Sequence, residues 1–151
     1  AHNLWMYLNK YFLKHLKTIT KLKNIKNQGI NIVIIGIMTF FAIPKLLGKP
    51  QSIEGFKQFE NAINIDADFF RIFTGISEIG LALLVLFFAI SKNKTIGKIA
   101  FSFLLITMIT ALALEFFARP EPKIILVIIA VILVLLAIYR LKTVKKAFNQ
   151  K

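Results

Sequence analysis

Four long apolar runs govern what this chain can fold into. Residues 30–47 (INIVIIGIMTFFAIPKLL), 69–90, 97–118 and 123–140 (KIILVIIAVILVLLAIYR) carry few charges. Each comes close to or reaches the roughly 20 residues a helix needs to cross a bilayer core. In hydrocarbon, backbone N–H and C=O groups must find partners within the segment, so each run is expected to be helical. Composition agrees: 57% of residues are hydrophobic, 15 are phenylalanine, and the mean hydropathy is +0.70. Soluble domains are about 45–50% apolar by a similar count. The expected fold class is an all-α integral membrane protein: a four-transmembrane-helix bundle preceded by a basic amphipathic interfacial helix. These 151 residues are expected to form one compact bundle without a second large domain.

Turn signals separate the runs. Gly48, Lys49 and Pro50 end the first, and Pro44 is expected to kink or terminate its last turn. Residues 51–68 form a polar loop with Glu54, Glu60, Asp66 and Asp68, and its middle (IEGFKQFENAI) has the apolar spacing of a short amphipathic helix. SKNK is a tight basic turn, and ARPEPK separates the last two runs. Lys123 and Arg140 flank the fourth run and are expected to snorkel to the interfaces. Lys and Arg concentrate in the N-terminal segment, the 91–98 turn and the tail, so four crossings place both termini in the cytoplasm. The expected division is an interfacial helix over 1–28, a bundle over 29–140 and a basic cytoplasmic tail over 141–151, in the bacterial inner membrane.

The first segment has its own pattern. Leu4, Leu8, Tyr11, Phe12, His15, Ile19 and Leu22 recur at helical spacing, while Lys10, Lys14, Lys17 and Lys21 form a separate basic stripe. One apolar and one basic face read as a helix lying among anionic lipid headgroups; docking on a partner subunit is the other reading. Asn27, Gln28 and Gly29 are expected to break it from the first crossing.

The formal charge of +13 would point a soluble chain toward nucleic acid. Here the basic residues sit at run ends and in the amphipathic segment, so anionic lipid is the expected partner and nucleic acid is not. The absence of cysteine excludes disulfides, thiolate metal sites and a cysteine nucleophile. His2 and His15 lie outside the apolar runs, which argues against a histidine-held metal or haem within the membrane. No small-residue cleavage site follows the first apolar stretch, so no cleavable signal peptide is expected.

Glu78 stands out within FTGISEIGLALLVL. Counting about 1.5 Å per residue from the run ends puts Glu78 about 13 Å deep, and Thr39 and Thr110 about 12 Å deep, with Thr107 a turn further. With Thr74 and Ser77 beside Glu78, these residues form an expected polar layer, either gluing helices together or holding a ligand. Gly75 and Gly80 allow close helix approach or room for a flat ligand. Phe40, Phe41, Phe69, Phe70, Phe73, Phe116 and Phe117 either face lipid and packing or line an isoprenoid or quinone pocket. Lys45 and Glu115 lie at matching depth and either form an ion pair, with Arg71 and Arg119 above it, or each snorkel to the outer headgroups. No phosphate-binding loop, metal-ligand cluster or nucleophile–base pair is visible.

The order IPKLLG, GFKQF, FTGISEIGLALLVL and LLITMITALALEF over about residues 30–140 resembles the DoxX-like family of small four-helix membrane proteins. The family's Lys-Leu pair, Gly-x-x-Glu element and Met-x-x-Ala element fall on Lys45 and Leu46, Gly75 and Glu78, and Met108 and Ala111. Many members carry a double glycine after the glutamate, where this chain has Gly80 followed by Leu81. The resemblance implies either an accessory subunit or assembly factor of a membrane complex, or a quinone-linked component of thiosulfate:quinone oxidoreductase type. The leading expectation is a non-enzymatic subunit, with other membrane subunits or further copies of itself as partners and no intrinsic cofactor. The alternative is a bound quinone (or lipid), with electrons from a partner. A small-molecule transporter is the weakest reading, because four helices leave little room for alternating access.

Overall fold

The computed structural model describes residues 2–147. Among them are five helices: α1 (His2–Leu46), α2 (Pro50–Ile63), α3 (Ala67–Ser91), α4 (Lys94–Phe117) and α5 (Ile124–Lys146). Four of these, α1, α3, α4 and α5, are long and apolar enough to span a membrane. The fold is an all-α helical bundle of membrane type.

Local chemistry explains the boundaries. α1 runs through Pro44 and stops where Gly48 adopts the left-handed conformation (φ 61°), which costs glycine nothing. α2 starts on Pro50, whose fixed φ suits a first helical position. Asp66 caps α3 by accepting from the Phe69 N–H at 2.7 Å. Asn93 caps α4 by accepting from the Thr95 N–H at 3.0 Å.

Three boundaries differ from expectation. Asn27, Gln28 and Gly29 do not break the helix, which continues through them. A lone helical glycine lowers stability by about 1 kcal/mol without forcing an end. α5 continues six residues past Arg140, so the first part of the expected tail is helical. Val144 is buried there, and Lys145 and Lys146 complement the helix C-terminus. α2 begins three residues before the amphipathic stretch that signalled it.

The chain forms two compact units, one up to Ile30 and one from Asn31 onward. In the first, the side chains of Leu4, Trp5, Leu8, Tyr11, Phe12 and Leu22 are exposed, as are Lys10, Lys14, Lys17 and Lys21. In the second, Ile34, Met38 and Ala42 of α1 are buried at four-residue spacing. Leu81 and Val85 of α3, Ala100, Phe101 and Leu104 of α4, and Leu133 and Ala137 of α5 complete the core. Residues between these stripes, such as Phe40, Ile90, Ile106 and Ile124, stay exposed, as expected of faces whose solvent is lipid. α2 packs over one end, where Phe56 and Phe59 meet Ala67, Phe70, Leu114 and Ala118.

Candidate functional site

The helix ends beside α2 hold most of the buried charge. Gly75 brings α3 against α1 so closely that a Cβ there would lie 2.9 Å from Leu46 Cδ2 and 3.2 Å from Lys45 Cβ. Lys45 is therefore level with Gly75. Glu78 lies three residues further along α3, about 4.5 Å, within reach of a lysine stem. Lys45 Nζ donates to both Glu78 oxygens, at 2.6 and 2.7 Å. Arg71, one turn the other way, donates from Nη1 to the Lys45 carbonyl oxygen and from Nη2 to Asp68 Oδ1 at 2.9 Å. A cation thus caps the end of α1.

Glu115 is paired within its own segment. Arg119 Nη2 lies 3.0 Å from Glu115 Oε1, and the Lys123 backbone N–H donates to Glu115 Oε2 at 3.1 Å. The Arg119 guanidinium stacks over Phe59, 4.9 Å from its ring centroid. It also crosses α2 at Gly55, where a Cβ would meet Nη2 at 3.3 Å. The expected Lys45–Glu115 pair does not form, because Lys45 is held by Glu78 and Glu115 by Arg119. Depth counted from run ends misplaced the partners: the end of α1 sits beside Gly75, not beside Phe69, so those ends are not level.

The expected polar layer does not assemble either. Among the described residues, Glu78 accepts only from Lys45. Thr74 Oγ1 donates to the Phe70 carbonyl at 2.7 Å, Ser77 Oγ to Phe73 at 2.8 Å and Thr110 Oγ1 to Ile106 at 2.9 Å. Each hydroxyl bonds back one turn along its own helix. Thr39 and Thr107 are half-buried, and neither bonds Glu78. Gly80 faces open space, so Gly75 alone of the two makes a close approach. Phe40, Phe69, Phe73, Phe116 and Phe117 are exposed, Phe70 packs on Phe56 and Phe59, and Phe41 lies under Lys45 Nζ, 5.8 Å from its ring centroid.

At the opposite end of the bundle, Arg140 points inward instead of snorkelling outward. It is 4% exposed. Its Nε donates to Asn31 Oδ1 of α1 at 3.2 Å and its Nη1 to Thr143 Oγ1 at 2.9 Å. Its guanidinium lies 5.5 Å from the Phe88 ring centroid of α3 and 5.2 Å from that of Phe101 on α4. One side chain of α5 therefore touches all three other spanning helices. The two phenyl rings meet edge to face, 5.5 Å apart. The cluster has one trace in the sequence: Asn31, a polar residue at the mouth of an apolar run.

Among the described residues, no group of three or more His, Cys, Asp and Glu is placed to hold a metal ion. In comparison with known proteins, no family model matches the chain, no curated protein matches it and no solved structure matches it.

Proposed function

We propose that this protein is a non-enzymatic membrane subunit or assembly factor of a larger membrane complex, of DoxX-like type, with both termini in the cytoplasm of a bacterial cell. One observation carries this reading: both oxygens of Glu78 accept from Lys45 Nζ. The one carboxyl deep in the span serves as a latch between helices. What the bundle offers outward is apolar helix surface, together with the amphipathic face of residues 3–26, whose basic stripe suits anionic lipid. The residues carrying the family resemblance support the same reading, since Lys45 and Leu46 meet Gly75 and Glu78 in one cluster. A quinone-binding role would require a headgroup to displace Lys45 from Glu78. Charge placement supports the orientation: Lys92, Lys94, Lys98, Lys142, Lys145 and Lys146 share one end, where Lys94 Nζ donates to the Ala147 carbonyl at 2.7 Å.

Purification from native membrane in mild detergent tests the reading. The protein is expected to elute with a partner subunit at a mass well above its own 17.2 kDa plus micelle. Elution as a partner-free particle would remove the proposal's support.

A further inference from the structure

Among the described residues, Arg140 is a buried cation with no carboxylate paired to it. All seven acidic residues lie at 54–78 or at 115 and 121, and among the described residues none pairs with Arg140. Its hydrogen bonds go to Asn31 and Thr143, its guanidinium lies over the faces of Phe88 and Phe101, and the Tyr139 phenol is within electrostatic reach. With Nε and Nη1 engaged, Nη2 has no hydrogen-bond partner among the described residues. A charge taken out of water without a counter-ion is costly, and cation–π contact returns only part of that cost. The surroundings add positive charge, through Lys92, Lys94, Lys98, Lys142, Lys145 and Lys146 at the same end. Arg140 lies six residues from the end of α5, about 9 Å, a depth at which lipid phosphates and arginine side chains meet.

We propose that Arg140 is the centre of a specific phosphate site, occupied by the headgroup of an anionic phospholipid from the leaflet at the basic end. The guanidinium fork takes a phosphate oxygen on Nη2 while Asn31, Phe88 and Phe101 hold it in place. Because the fork touches α1, α3 and α4, the lipid ties all four spanning helices together at this end, as the Lys45–Glu78 pair ties two at the other. The site is independent of whether the protein serves as an accessory subunit.

The test is native mass spectrometry of the full chain from a neutral detergent, with phosphatidylglycerol titrated against phosphatidylcholine. The wild type is expected to retain one phosphatidylglycerol per chain. Arg140→Gln is expected to weaken that retention by tenfold or more, about the effect of one charge-assisted hydrogen bond. Arg140→Lys keeps the charge without the fork and is expected to weaken it less. Lys142→Gln/Lys145→Gln/Lys146→Gln, which removes charge but not the fork, is expected to stay close to wild type. Equal loss in that triple variant and in Arg140→Gln would overturn the site in favour of diffuse attraction. If Arg140→Gln does not fold, the wild type still decides: retention of phosphatidylcholine as strongly as phosphatidylglycerol overturns the proposal. So does inorganic phosphate that protects against thermal unfolding as well as the lipid does, since the ligand is then free phosphate.

Discussion

Lys45 and Glu78 lie 33 positions apart in sequence and are joined by a 2.6 Å ion pair, with the two side chains 16% and 7% exposed. Removing one member strands the other. Lys45→Met and Glu78→Leu should each destabilise by about 3–5 kcal/mol, whereas the double variant should recover most of that loss. Reversible unfolding of all four proteins in mixed micelles gives the coupling energy of this double-mutant cycle; a value near zero would contradict the latch.

Glycine substitutions should separate by what each new methyl group meets. A Cβ at position 97 would lie 2.6 Å from the Phe88 ring, and at position 80 it would meet nothing within 4 Å. Gly97→Ala is expected to lower stability by about 1–3 kcal/mol through overpacking. It should also disturb Arg140, since Phe88 is one of its two rings. Gly80→Ala should be neutral or raise stability by up to about 1 kcal/mol through helix propensity. Paired melting curves check both.

The hydroxyls near Glu78 in sequence depth should be nearly silent. Ser77→Ala and Thr110→Val each remove only a bond to a carbonyl of the same helix. Changes within about 0.5 kcal/mol are expected. A loss above about 1.5 kcal/mol in either would show that the hydroxyl makes a contact across helices.

The cap of α4 offers a local test. Asn93→Ala removes the oxygen that accepts from the Thr95 and Ile96 N–H groups, at 3.0 and 3.4 Å. Stability should fall by about 1 kcal/mol, while Asn93→Asp should retain most of it. Hydrogen exchange at Thr95 and Ile96 reports the lost cap directly.

Much of the architecture was legible because its causes are local. Run length and hydropathy mark the spans, and Pro50 and the spacing of Phe56 and Phe59 mark α2. The lost break at residues 27–29 and the extension of α5 past Arg140 show the limit of reading punctuation alone. Polar residues in a helix remain helical when both flanks favour it, and a charge does not end a helix whose next turn has something to bury.

The site was less legible. Sequence alone determined that four helices are long and apolar enough to cross a membrane, that acidic residues gather toward the α2 end and that Glu78 needs a partner, because an apolar surrounding leaves backbone and carboxylate unsatisfied otherwise. Which partner it takes was decided by the tertiary structure. Depth along a helix can be counted from sequence, but the rotation of each helix and the level of one against the next are set by packing. The Gly75–Leu46 approach put Lys45 beside Glu78 and left Glu115 to Arg119. The packing of α1, α3 and α4 around α5 turned Arg140 inward between two phenyl rings, where composition alone would have sent it to the surface.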